Sequence, residues 1–153
     1  MKTRFFLCFL ACAALAACAT PVTLDLEEHD RPFDESTVGP EQGIVYFYRE
    51  RAYAGIARSM YIAHDGKRIG ALNNGSYFAY PADPGAHVFS AEDGLRDDVS
   101  RRLLVEPGET YYIRGSIEFG FWDARPDITI VAPEEGRAAI EGEDLDYDTL
   151  ETE

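Results

Sequence analysis

The chain has 153 residues, with 28 acidic against 14 basic side chains and a formal net charge of −14. Binding to nucleic acid requires clustered Lys and Arg to displace counterions, and no such cluster occurs, so a nucleic-acid partner is excluded. Residues 19–42 hold seven acids and one base, residues 134–153 hold nine acids and one base, and residues 43–133 have a net charge of −2. This distribution predicts one globular domain between two solvated acidic segments.

Residues 1–17 have the three parts of a secretory signal peptide. Lys2 and Arg4 supply the positive charge, and residues 5–17 form an apolar run that is too short to span a bilayer as a helix. The segment Leu-Ala-Ala-Cys at residues 15–18 resembles the bacterial lipobox, in which the cysteine is lipidated and becomes the mature N-terminus. The alternative is an ordinary small-residue cleavage site that happens to precede a cysteine. We expect removal of residues 1–17 and lipid attachment at Cys18.

A lipid on Cys18 would hold the mature chain to a membrane. No Asp follows the cysteine as an inner-membrane retention signal, which favours the bacterial outer membrane, with the protein facing the periplasm. Cys8 and Cys12 leave with the signal peptide, so the mature chain has no cysteine pair to form a disulfide. Residues 18–42 contain prolines and little hydrophobic periodicity, and this predicts a flexible acidic tether.

Residues 43–133 follow a strand-and-turn pattern throughout. Residues 44–48 are apolar on both alternating faces, which predicts a central strand. Asp65-Gly66 separates two apolar runs and predicts a type I′ hairpin. Seven or eight short strands without an amphipathic helix indicate an antiparallel sandwich or barrel, and we favour an all-β fold, a small antiparallel β-sandwich of immunoglobulin-like character. The predicted strands are residues 43–49, 59–64, 68–72, 76–80, 86–90, 101–106, 110–115 and 127–132.

Five short motifs follow one another along this domain. They are Ile44-Val-Tyr-Phe-Tyr-Arg49, Asp65-Gly66 with Ile69-Gly70, Asn74-Gly-Ser-Tyr-Phe78, Pro84-Gly-Ala-His87 and Pro107-Gly-Glu-Thr-Tyr-Tyr112. In order and spacing they resemble the bacterial family catalogued as domain of unknown function 2846, which is common in small envelope lipoproteins. The resemblance covers residues 43–117 and implies an envelope β-domain without implying an activity.

The common catalytic and metal-binding patterns are absent from the sequence. There is no G-x-S-x-G elbow, and the mature chain has no free thiol. The three histidines, His29, His64 and His87, lack the spacing that places two metal ligands on one helical face. We interpret His64 beside Asp65 as a turn pair in preference to a metal site, and His87 as packing against its Pro-Gly turn. The sequence therefore predicts no catalytic residue, no metal ligand and no cofactor.

The acidic segment 134–153 is predicted to be mostly disordered, with a short helix around residues 137–140. Asp144, Asp146 and Asp148 have the spacing that opens a calcium-binding EF-hand loop. Thr149 stands where that loop requires glycine, so an EF-hand is excluded. A solvated acidic tail is the preferred interpretation.

Aromatic residues give the sequence its one indication of a binding surface. Phe119, Phe121 and Trp122 share a glycine-containing loop with Arg125 nearby, and large rings on a loop are typical partner anchors. The alternative is that the rings close one end of the sandwich. We expect a membrane-anchored, non-catalytic interaction or structural module that docks another envelope protein or polymer. The alternative is a small envelope hydrolase or polymer-modifying enzyme with an unrecognised site.

Overall fold

The computed structural model describes residues 33–53, 55–92, 99–119, 124–142 and 145–148. Within these ranges the chain forms nine strands and one helix, and a single 3₁₀ turn at Glu35–Thr37 precedes them. No helix within these ranges is long and apolar enough to cross a membrane. The elements are β1 (Gly43–Arg49), β2 (Met60–His64), β3 (Lys67–Leu72), β4 (Ser76–Ala82), β5 (Gly85–Glu92), β6 (Val99–Val105), β7 (Thr110–Phe119), β8 (Ala124–Val131), α1 (Pro133–Gly142) and β9 (Asp146–Tyr147).

The strands form two sheets that pack face to face. The five-stranded sheet has the order β8-β7-β1-β4-β9, and the four-stranded sheet has the order β3-β2-β5-β6. Most pairs are antiparallel, while β1 runs parallel to β7 and β9 runs parallel to β4. The predicted sandwich is confirmed, and so is the central position of β1.

Alternating side chains on the facing sides of the sheets form the core. Val45 and Phe47 of β1 are fully buried. The ring of Phe47 stacks on Phe78 of its own sheet at a centroid distance of 5.0 Å and meets Phe89 of the opposite sheet edge-on at 5.1 Å. These aromatic contacts join the two sheets at the centre of the domain.

Local turn chemistry fixes the connection between β2 and β3. Asp65 and Gly66 both have positive φ, 48° and 81°, which the type I′ turn requires at both central positions. The predicted hairpin is confirmed. It places His64 at the end of β2, directly beside the turn.

A buried arginine holds the segment that links β1 to β2. The side chain of Arg49 is 2% exposed and donates hydrogen bonds to the carbonyl oxygens of Gly55, at 2.8 Å, and Arg58, at 2.6 Å. Burial lowers the pKa of Arg49, because it penalises the charged form. The guanidinium thus donates to two backbone carbonyls that lie outside the strands.

The acidic C-terminal segment departs from the predicted disorder. Residues 133–142 form α1, which is longer than the short helix expected around residues 137–140, and β9 pairs with β4. The ring of Tyr147 meets Tyr77 edge-on at 5.4 Å, an aromatic anchor that the acidic composition hides. Asp146 pairs with Arg51 at 3.1 Å, and Asp148 accepts hydrogen bonds from Asn73. In the described part of this segment, a docked helix and a strand replace the expected solvated tail.

Candidate functional site

The outer face of the five-stranded sheet carries a group of tyrosines. Strand alternation turns Val45 and Phe47 toward the core and Tyr46 to the opposite face. Tyr46 lies opposite Tyr112 of β7, and the two rings stack at a centroid distance of 5.4 Å and an interplanar angle of 13°. With Tyr77 of β4, these rings form the floor of a cavity.

Two segments outside the predicted strands wall this cavity. Phe33 and Glu35, at the 3₁₀ turn, form one wall, and Arg137, Ile140 and Glu141 of α1 form the other. The cavity has a volume of about 470 Å³ and extends to Thr110 at the start of β7. We call it the tyrosine groove. Its size is that of a ligand-binding cleft, for which volumes of roughly 300 to 1,000 Å³ are usual.

Both walls bond directly to the tyrosine floor. The hydroxyl of Tyr46 donates to Glu35 Oε1 at 2.5 Å, and the pKa of Tyr46 is raised by burial first and by this hydrogen bond second. A hydrogen bond to Tyr112 raises the pKa of Arg137. Burial also raises the pKa of Tyr77. The hydroxyls of Tyr46 and Tyr77 are therefore neutral at physiological pH, beside one cation and two carboxylates on the walls.

A glycine allows α1 to lie against the sheet. Among the residues of α1, all of which are described, Gly136 alone is buried. A Cβ built at Gly136 would lie 2.3 Å from Cβ and Cγ of Tyr112, so any larger side chain would push the helix outward. The ion pair between Arg114 of β7 and Glu135, at 2.8 Å, adds a polar contact beside this approach.

The residues predicted to contact a partner lie away from the groove or outside the described residues. Phe119 ends β7, about 23 Å along the strand from Tyr112 at roughly 3.3 Å per residue. Arg125 is exposed on β8, opposite Glu118. Cys18, Phe121 and Trp122 lie outside the described residues, so lipid attachment and the binding role of the aromatic loop stay predictions.

The groove itself was not predicted from the sequence. Its walls come from the two acidic segments that were expected to be solvated. The alternation along residues 44–48 was the available signal, because it required an outward aromatic face on a central strand.

The two histidines of the domain meet on the four-stranded sheet. His64 Nε2 lies 2.7 Å from His87 Nδ1, and the other ring nitrogen of His64 lies 2.9 Å from the hydroxyl of Tyr80. His87 Nε2 donates to the carbonyl oxygen of Asp83 at 2.6 Å, which confirms the expected packing of His87 against its turn. Burial lowers the pKa of His64, the neighbouring Asp65 opposes this shift, and His87 adds to it.

Comparison with known proteins identifies the family of this chain. A search of curated proteins returns no match to this chain. A family model described as protein of unknown function (DUF2846) matches residues 40–125, which is more than half of the chain. The matched region contains the groove floor, whereas both walls lie beyond its limits. This match confirms the resemblance found along residues 43–117, and the chain belongs to the DUF2846 family.

Proposed function

We propose that this protein is a membrane-anchored lipoprotein of the bacterial envelope, and that its β-sandwich is a non-catalytic binding module that takes its partner in the tyrosine groove. The observation that carries the proposal is the groove itself, a 470 Å³ cavity over stacked tyrosines. Tyrosine is enriched at binding interfaces because it combines a large apolar ring with a polar tip. The groove has this combination on its floor.

The charge around the groove favours a basic partner. The acidic segments 19–42 and 134–153 have net charges of −6 and −8, and the residues that wall the groove at 33–35 and 137–141 lie in or next to them. Complementary charge steers association and disfavours partners of the wrong sign. The partner we propose is a basic polypeptide segment of another envelope protein.

Photocrosslinking in cells tests the site. A photoreactive amino acid at Ile140, on the groove wall, should give a discrete adduct with a basic envelope protein. The control position is Leu104 of β6, which is 62% exposed on the four-stranded sheet. Equal adducts at both positions, or none at Ile140, would remove the groove from consideration as the binding site.

A matched pair of variants tests the charge argument. Glu141→Gln removes a carboxylate from the groove wall, and Glu118→Gln removes an exposed carboxylate at the far end of β7. If the partner is attracted only by the overall negative charge of the protein, both variants should weaken the Ile140 adduct equally. Specific binding in the groove predicts that the Ile140 adduct weakens with Glu141→Gln alone.

The membrane anchor is supported by the Leu-Ala-Ala-Cys segment at residues 15–18 and by the signal-like run before it. In a detergent phase-separation assay, the wild-type protein should enter the detergent phase. Cys18→Ala should give an unprocessed or soluble product. Wild-type protein in the aqueous phase would contradict the anchor without affecting the groove.

A further inference from the structure

His64, Asp65 and His87 bring three potential metal-ligand atoms together at one end of the four-stranded sheet. His64 Nε2 lies 2.7 Å from His87 Nδ1 and 3.2 Å from Asp65 Oδ2, and the three ligand atoms all lie within 4.8 Å of one another. His64 is paired with Phe89 across β2 and β5, so His87, two residues before Phe89, is its diagonal neighbour on the same face. The strand register therefore places both imidazoles side by side.

From this arrangement we propose that His64, His87 and Asp65 bind a divalent transition-metal ion of the zinc class. The proposal is independent of the tyrosine groove, to which none of the three residues contributes. Two imidazole nitrogens and one carboxylate oxygen form a ligand set that suits zinc, copper or nickel better than magnesium or calcium, which prefer ligand sets made of oxygen.

Each histidine is already held by its second nitrogen. His87 Nε2 bonds to the carbonyl oxygen of Asp83, which can only accept, so this nitrogen carries the proton and Nδ1 presents a lone pair toward His64. His64 Nδ1 bonds to the hydroxyl of Tyr80 at 2.9 Å. Metal-ligating histidines almost always have such a partner, because it fixes the tautomer and the orientation of the ring.

The carboxylate of Asp65 is oriented in the same way. Its Oδ1 accepts a hydrogen bond from the backbone N–H of Val88 at 3.2 Å, and Oδ2 faces His64. Its own backbone N–H donates to the carbonyl oxygen of Val88 at 2.9 Å. Each of the three proposed ligands is thus positioned by an outer partner, a feature that a chance cluster of polar side chains does not require.

The metal-free and metal-bound states differ in the tautomer of His64 and in the direction of the Tyr80 O–H bond, which turns away from His64 when the ion binds. Without metal, the Tyr80 hydroxyl donates to His64 Nδ1, and His64 Nε2–H donates to His87 Nδ1. With metal, the His64 proton moves to Nδ1 and is donated to the Tyr80 oxygen, which leaves a lone pair on Nε2 for the ion. His87 needs no change of tautomer, so the proton count of the site is conserved.

The distances between the three ligand atoms must change when an ion binds. Tetrahedral zinc with Zn–N bonds of about 2.0 to 2.1 Å sets neighbouring ligand atoms about 3.3 Å apart. The 3.2 Å between His64 and Asp65 meets this requirement, and the 2.7 Å between the imidazoles must widen by about 0.6 Å. The separation of His87 and Asp65, which is within 4.8 Å, must close by up to about 1.5 Å, a shift that falls on the exposed side chain of Asp65. Asp65 is 61% exposed, so the remaining coordination position faces solvent and would hold water or a group from a partner.

Titration with metal alone tests the proposal. The full chain, purified in detergent and freed of metal with a chelator, is titrated with zinc chloride and separately with cobalt chloride. We expect saturation at one ion per chain, a visible cobalt spectrum of low-symmetry coordination, and a melting temperature that rises with zinc concentration by mass action. An excess of magnesium should not compete, whereas it would displace zinc held diffusely by the acidic segments.

Variants assign the ligands. His87→Gln and Asp65→Asn should each weaken zinc binding about tenfold or more, and Tyr80→Phe should weaken it to a comparable extent through His64. Asp65→Asn is the most informative variant, because Asn-Gly retains the type I′ turn and it removes only the carboxylate. His29→Gln, which changes the remaining histidine, is the matched control and should bind zinc normally. The proposal would be overturned if the wild-type chain shows no saturable binding at about a tenfold molar excess of zinc over protein. It would also be overturned if Asp65→Asn and His87→Gln bind zinc with wild-type affinity.

Discussion

Replacing Gly136 with alanine sets two effects of known sign against each other. In an isolated helix, alanine is more favourable than glycine by about 1 kcal/mol, so propensity alone predicts a more stable α1. In the folded protein, the new Cβ would lie 2.3 Å from two carbon atoms of Tyr112 and 2.5 Å from a third. Ordinary carbon–carbon contacts lie near 3.5 to 4.0 Å, so α1 must retreat by about 1.2 Å or more.

The steric effect should be the larger one. Overpacking a tight contact costs about 1 to 3 kcal/mol, and Tyr112 cannot move aside easily because its ring stacks on Tyr46. Because Gly136 is the buried residue of α1, little other buried contact opposes undocking. A Cβ at 2.3 Å puts the steric cost in the upper part of this range, about 2 to 3 kcal/mol, and helix propensity offsets about 1 kcal/mol of it. The net loss of about 1 to 2 kcal/mol would lower the ratio of docked to undocked helix about five- to thirtyfold.

Hydrogen exchange measures this directly. In Gly136→Ala, amides of residues 133–142 should exchange faster, while those of the sandwich strands keep their protection. Gly142→Ala is the matched control, since a Cβ at Gly142 meets no atom within 4 Å. Unchanged or increased protection of α1 in Gly136→Ala would refute the close approach as we describe it. It would also remove the reason for a glycine at this position.

Three further predictions concern stability and binding. Arg49→Met leaves the carbonyls of Gly55 and Arg58 without their charged donor. It should lower the free energy of unfolding, measured in urea, by about 2 kcal/mol or more. The control Arg102→Met, at an exposed position, should lower it by less than about 0.5 kcal/mol. Burial raises the folded-state pKa of Tyr46, so its contribution to stability is complete below the unfolded pKa of about 10 and is lost as the pH rises further. Unfolding free energies measured against pH should therefore fall less steeply above pH 10 in Tyr46→Phe, and an unchanged slope would contradict this assignment. If the loop that contains Trp122 contacts the partner, Trp122→Ala should reduce partner capture and leave the melting temperature nearly unchanged. A melting temperature lowered by many degrees, with partner capture intact, would show that the ring closes the sandwich.

The strands and tight turns could be predicted because their signals are local. Alternation along residues 44–48 marks a strand with two apolar faces, and Asp65-Gly66 marks a turn that needs two residues with positive φ. These features depend on neighbours a few positions apart. The sequence therefore predicted a sandwich and a central β1, both of which the structure confirms.

The groove depends on pairings between distant residues. The parallel register of β1 and β7 brings Tyr46 onto Tyr112, and no local pattern encodes that register. The composition of residues 134–153 indicated disorder, because acidic residues outnumber apolar residues in this segment. The described part of the segment docks through the close approach of Gly136, the ring of Tyr147 and a few ion pairs and hydrogen bonds to the strands. An average over composition does not detect so few contacts.

The histidine cluster was missed for a related reason. His64 and His87 are separated by 23 positions, too far for any motif with helical metal-ligand spacing. Their contact follows from the diagonal geometry of β2 and β5, which a hairpin prediction alone does not supply. His87 is oriented by the backbone carbonyl of Asp83, so the amino-acid type at position 83 does not predict this contact.

The two residues of β9 also bear on how this domain would meet other copies of itself. A sheet edge with unpaired backbone groups is a template on which a second chain can add a strand. The amides of Asp146 and Asp148 donate to the carbonyls of Gly75 and Tyr77, so they cover the beginning of β4 at this edge. A neighbouring molecule would meet carboxylates there, and like charge repels it. For domains crowded together on a membrane surface, as we propose, this short acidic strand would discourage the edge-to-edge growth that leads to aggregation.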